Sequence, residues 1–132
     1  MINYRKGGTR INNDKNTSIS YFKKIVKEFS EERDWGQFHN AKELTTGIVT
    51  ESSELLQHFR FKSYQQVDDM FDDPKLREEI SEEISDVLFF IIRLAQKYDI
   101  DLTTEFNNKM SKNKKKYPID KVKGSNKRHS EY

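Results

Sequence analysis

An all-α architecture, with a subunit of the four-helix-bundle type, follows from three features of this 132-residue chain. Apolar residues recur at helical spacing in three separate stretches, so that each would present one face to a core. Ser18, Asn40 and Asp101 each stand just ahead of a helix-like stretch, where a side-chain oxygen can accept from the unpaired N–H groups of a first turn. No strand-like alternation and no internal repeat is present.

Residues 1–17, with Gly7-Gly8 and an Asn/Asp/Lys/Thr cluster, read as a flexible, extended arm. The first helix begins after Ser18, with Phe22, Ile25, Val26 and Phe29 on its apolar face. Glu31 to His39 breaks that pattern and reads as a loop holding Trp35 and Phe38 around Gly36. A second helix runs from Asn40 to about Phe61, with Leu44, Ile48, Leu55 and Phe59 on one stripe. Lys62 to Pro74 is polar and acidic and reads as a loop or short turn. The third helix spans Lys75 to Tyr98, and the fourth runs from Asp101 to Lys116, where Pro118 stops it. The expected organisation is an arm over 1–17, one helical domain over 18–118 and a basic tail over 119–132.

On the third helix, Ile84, Val87, Ile91 and Leu94 fall within about 40° of Ile80 on a helical wheel, whereas Leu88, Phe89 and Ile92 lie off that stripe. A helix apolar on more than one side needs more than one partner, and a chain this short offers few. A homo-oligomer, dimer or tetramer, is the expectation.

Composition excludes several classes. The longest apolar run, Val87 to Ile92, is six residues, against the roughly 20 that a membrane-spanning helix needs. No secretory signal is visible, and the absence of cysteine removes thiolate metal sites, disulfides and cysteine nucleophiles together. A cytoplasmic protein is expected. Of 24 basic and 22 acidic residues, nine and two fall from Lys109 onward, so a basic end follows an acidic body. Such an end suits either a nucleic acid or an anionic ligand.

The acids of the body include two pairs that border apolar stripes. Glu51 stands seven residues after Leu44 and four before Leu55, in the middle of the second helix's stripe, and Glu54 follows one turn later beside Gly47. On the third helix, Glu83 and Asp86 flank the core stripe with Phe90 between them on the wheel. A desolvated carboxylate costs several kcal/mol unless something compensates it. Four of them converging would need a divalent cation, and oxygen-only ligands favour Mg²⁺, with Mn²⁺ as a substitute, over zinc. Glu78, Glu79 and Glu82 read as ordinary solvated charges. The competing reading, a nucleic-acid-binding bundle, accounts for Lys112 to Lys116 and leaves Glu51 without a reason.

Glu51-Ser-Ser-Glu54 followed by Glu83-Ile-Ser-Asp86 resembles the Glu-x-x-Glu…Glu-x-x-Asp pattern of the MazG-like all-α nucleotide pyrophosphatases. Arg33-Asp34-Trp35-Gly36-Gln37-Phe38-His39 resembles the aromatic entry segment of the dCTP pyrophosphatase branch, and Lys109…Asn113…Lys116-Tyr117-Pro118 resembles its Lys-x-x-x-Asn-x-x-Lys/Arg-Tyr-Pro ending. The resemblance covers Tyr21 to Arg128. It implies hydrolysis of a nucleoside triphosphate to a monophosphate and pyrophosphate, in nucleotide-pool sanitation, with Mg²⁺ held by Glu51, Glu54, Glu83 and Asp86. It further implies that Lys109, Asn113, Lys116 and Tyr117 hold phosphate oxygens and that Trp35, His39, Phe61 and Phe90 surround the base. Phe61 and Phe90 stand where that branch often has tryptophan and tyrosine, so a broader preference among pyrimidine deoxynucleotides is expected than for strict dCTP specificity. An all-α pyrophosphohydrolase of the dUTPase type shares the acid logic. His58 reads as a packed or supporting residue rather than a ligand.

Overall fold

Among residues 12–131, which the computed structural model describes, six α-helices and two short 3-10 turns form the structure, with no strand. They are α1 (Ile19–Glu32), a 3-10 turn (Trp35–Phe38), α2 (Ala41–Phe59), α3 (Tyr64–Met70), α4 (Pro74–Lys97), α5 (Leu102–Lys116), α6 (Ile119–Val122) and a closing 3-10 turn (His129–Glu131). The expected caps are in place. Ser18 accepts from the Tyr21 N–H at 3.1 Å, Asn40 from Glu43 at 3.0 Å and Asp101 from Thr104 at 2.9 Å. Asp73 caps α4 in the same way, with Pro74 at its first position. No helix among the described residues is long and apolar enough to cross a membrane.

Two compact units divide between Asp99 and Ile100. The first holds α1 to α4 and the second holds α5, α6 and the closing turn, so the expected fourth bundle helix belongs to a unit of its own. Most of the expected arm, residues 1–11, lies outside the described residues. The expected tail contains one turn of helix, α6, started by Pro118.

The stretch from Lys62 to Pro74 is not the loop or short turn its polarity suggested. α3 forms there because Ser63 and Gln66 make a reciprocal capping box: the Ser63 Oγ accepts from the Gln66 N–H, and the Gln66 Oε1 accepts from the Ser63 N–H at 2.8 Å. Met70 anchors this short helix by burial, and Phe71 stacks on Phe59.

The first unit is organised on α4, which packs mainly against α2 and also against α1. Leu44, Ile80, Ile92 and Ala95 are almost fully buried, as is Ser30, whose hydroxyl donates to the Val26 carbonyl. α4 packs on more than one side, as its apolar residues led one to expect, but the Ile80 stripe is only partly covered. Ile84 is 50% exposed and Ile91 36%, whereas Ile92, placed off the stripe, is buried. The reason is that α4 has two partners on two sides. α1 brings Phe29 against Phe89, and α2 brings Gly47 against Phe90. Ile84, Leu88 and Ile91 lie opposite both contacts and form an uncovered apolar strip.

Candidate functional site

The site grows from one close approach. A Cβ on Gly47 of α2 would come within 2.5 Å of the Phe90 ring of α4, so only glycine lets these two helices meet at this depth. The helices run antiparallel here. Glu51, one turn after Gly47, therefore faces Asp86, one turn before Phe90. Glu83 joins them, and one oxygen from each of Glu51, Glu83 and Asp86 lies within 4.8 Å of the others.

These three acids bring charge of one sign together at close range. Burial raises the Glu51 carboxyl above its usual value, and Glu54, Asp86 and Glu83 push it further in the same direction. Glu54, exposed on the same helix, adds to the negative charge around Glu51 but is not one of the three converging acids. The Glu83 Oε2 is buried with no hydrogen-bond partner, and its Oε1 stands 3.9 Å from the His58 Nε2. No lysine or arginine among the described residues ion-pairs with Glu51, Glu83 or Asp86. An unpartnered buried carboxylate oxygen beside two further acids is the environment a hard divalent cation completes, so the residues fit such an ion. His58 also lines an open cleft of about 540 Å³, whose wall includes Gln57, Lys62, Gln66, Met70 and Leu76.

The aromatic candidates are distributed unequally. Trp35 sits in its own 3-10 turn, edge-on to Phe29 at 5.6 Å between ring centroids and next to His39 at 6.4 Å. Phe29 continues to Phe89, and Phe89 to Phe90, each in edge-to-face contact. A continuous aromatic path thus joins the Trp35 turn to the helix crossing beside the acids. Phe61 stands apart from it. Its ring is 91% exposed, its backbone has φ 64°, and its ring contact is with the neighbouring Arg60 guanidinium. Lys109, Asn113 and Lys116 share one face of α5 in the second unit, where Tyr117 lies edge-on to His129 and beside the Lys116 ammonium.

Sequence reasoning passed over Arg93. Its guanidinium, 3% exposed, donates from Nε to the His39 Nδ1 at 2.9 Å and from a terminal nitrogen to Gln96. The signal was available, since an arginine between Ile92 and Leu94 in an apolar helix segment needs acceptors.

A model of the MazG-like family matches residues 47–131, which include Glu51, Glu83 and Asp86. The chain belongs to the MazG-like family. Within it, the protein is similar to dCTP pyrophosphatase 1 of Rattus norvegicus, 34% identical over 108 residues that make up 82% of this chain and 64% of the relative. It is also similar to dCTP pyrophosphatase 1 of Homo sapiens, 31% identical over 114 residues, 86% of this chain and 67% of the relative. This MazG-like chain spans just under two thirds of the length of the rat relative. Among solved structures, a pyrophosphatase from Archaeoglobus fulgidus superposes with a TM-score of 0.71 at 30% identity, covering 82% of this chain and 98% of its own.

Proposed function

We propose that this MazG-like protein is a nucleoside triphosphate pyrophosphohydrolase that converts a (d)NTP to the monophosphate and pyrophosphate, with pyrimidine deoxynucleotides such as dCTP preferred. The observation that carries this reading is the acid cluster of Glu51, Glu83 and Asp86 with its unpartnered Glu83 oxygen. The similarity to dCTP pyrophosphatases supports the substrate class.

In this reading Glu51, Glu83 and Asp86 hold Mg²⁺, or Mn²⁺ in its place, and Glu54 completes the set from the rim. The cation, when bound, neutralises phosphate charge and lowers the pKa of water. A carboxylate of the cluster orients the attacking water and accepts its proton. The water oxygen bonds to the α-phosphorus, the bond from that phosphorus to the bridging oxygen breaks, and pyrophosphate leaves. Lys109, Asn113, Lys116 and Tyr117 hold triphosphate oxygens. Trp35 stacks on the base, with His39 and Phe90 near it and Phe61 as the outlying member.

The uncovered strip of Ile84, Leu88 and Ile91 fits a homo-oligomer, dimer or tetramer, because an apolar face on the central helix of so small a core gains by burial against a copy. Nucleotide-pool sanitation in the cytoplasm is the physiological role proposed.

The test is a panel of dCTP, dTTP, dUTP, dATP and CTP with pyrophosphate detection, with and without Mg²⁺. Metal-dependent release of pyrophosphate, fastest with pyrimidine deoxynucleotides, is expected. Release of orthophosphate instead, or equal rates after chelation, would overturn the reading. Preference for dUTP above all others would move the protein to the dUTPase type.

A further inference from the structure

Seven residues beyond Asp86, about 10 Å along the axis of α4, lies a second polar cluster that the acid chemistry does not use. Arg93 is its centre. The Arg93 Nε donates to the His39 Nδ1 at 2.9 Å, and one turn later the Lys97 Nζ donates to the Gly36 carbonyl at 2.7 Å. Both bonds reach the same segment, the 3-10 turn Trp35–Phe38 and its C-terminal neighbour His39. Gly36 lies directly over the guanidinium, where a Cβ would stand 3.6 Å from Arg93 Nη2. The turn is entered through Asp34 in the left-handed conformation at φ 54°, so its local backbone is not in a favoured state and benefits from an outside hold.

A guanidinium buried to this degree is expensive to place and is not explained by packing alone. Its acceptors, His39 and Gln96, are neutral, and Glu31 supplies attraction from α1. Because His39 accepts at Nδ1, its ring proton resides on Nε2, which fixes one tautomer next to the Trp35 ring.

We infer that Arg93 is a positioning residue that, with Lys97, clamps the Trp35 turn to α4 and so sets where a nucleotide base sits relative to the acid cluster. This inference rests on the nucleotide reading proposed above. α4 then acts as a ruler. Glu83 and Asp86 mark the phosphate end, Phe90 lies between, and Arg93 and Lys97 fix the base end. Neither clamp residue touches the reacting atoms, so their loss acts on binding of the base and leaves the chemical step intact.

Trp35 is the chain's one tryptophan, so its fluorescence reports this turn directly. The experiment compares wild type with R93M, R93K and K97M in acrylamide quenching of Trp35, thermal melting, and KM and kcat for dCTP with Mg²⁺. R93M should make Trp35 measurably more quenchable and raise KM by about tenfold, the scale of one charged hydrogen bond, with kcat changed less than about twofold. R93K, which keeps a donor, should recover part of both effects. K97M should shift both in the same direction by less, and its exposed position keeps it foldable should R93M fail to fold. Wild-type quenching in a folded R93M or, if that fails, in K97M would overturn the clamp. A loss of kcat at unchanged KM would overturn its role in base placement. If wild type releases no pyrophosphate from dCTP, the functional reading fails, while the quenching series still decides whether the clamp exists.

Discussion

α4 takes part in two charged clusters seven residues apart, and they are finished to different degrees. At Glu51, Glu83 and Asp86, charges of one sign converge, the Glu51 carboxyl is pushed upward by burial and its neighbours, and a Glu83 oxygen has no partner. At Arg93, a single cation is buried more completely, and the hydrogen bonds it donates end on neutral acceptors, His39 and Gln96. The protein thus satisfies one of its buried charges internally and leaves the other set dependent on something from outside. Buried polar groups are ordinarily paired, so a site that waits for a ligand is distinguished by what it lacks rather than by how acidic it is.

The largest expected effect comes from neutralising the unfinished end. Glu51→Gln should lower pyrophosphate release by more than about 100-fold, since even residues that only support metal ligands cost ten- to a hundredfold. It should also raise the melting temperature of the metal-free protein at pH 7. The sign follows from the raised Glu51 carboxyl. Its charged form works against the fold above its ordinary value of 4.5 and ceases to once the pH falls below it, so the gain should vanish near pH 4. Added Mg²⁺ should stabilise wild type and do little for the variant, as measured by melts across a metal titration. Turnover that survives the substitution with its Mg²⁺ dependence intact would remove Glu51 from the ligand set.

Next in size is the spacing that creates the cluster. Gly47→Ala places a methyl group 2.5 Å from the Phe90 ring, and overpacking of this kind costs about 1–3 kcal/mol. Denaturant unfolding should register that loss. Mg²⁺ affinity should fall with it, because separating α2 from α4 to relieve the methyl also draws Glu51 away from Asp86. A stability loss without any change in metal affinity would show that the acids converge independently of the crossing.

The finished end responds to acid. Burial, Arg93 and Lys97 lower the His39 imidazole below its usual 6.5, so the stability carried by its neutral, accepting form is complete above that value and is lost as the pH falls below it. Trp35 quenching should increase on acidification from pH 7 to pH 5, and in R93M the transition should move back toward 6.5. A flat profile in wild type would detach His39 from the turn.

The smallest effect is expected between the two clusters. Phe90→Tyr adds a hydroxyl beside the aromatic path at little volume, and it should shift the ratio of kcat/KM between dCTP and dATP by less than about tenfold while leaving the Glu51-dependent step alone. A preference above about 10⁴ for one base in wild type would mean that dedicated hydrogen bonds elsewhere read the base.

The parts legible in the sequence are those fixed over one or two turns of chain. Ser18, Asn40 and Asp101 cap their helices because the bonds involved span three residues. The capping box at Ser63 and Gln66 was equally local, and α3 was missed only because its surroundings are polar. Glu51 was conspicuous because a carboxylate in an apolar stripe conflicts with its setting whatever packs against it. Which sides of α4 are covered was not encoded at that range. It depends on two partners arriving at different angles, one through Phe89 and one through Gly47 and Phe90, and this left Ile84 and Ile91 exposed where periodicity alone would bury them. The Arg93–His39 bond joins residues 54 positions apart, and the facing of Glu51 with Asp86 depends on the register of two helices. Short-range capping and periodicity decided which helices form and which residues could not rest comfortably in them, whereas the register and crossing of those helices, fixed by side-chain volume at the Gly47–Phe90 contact, decided which of these residues meet.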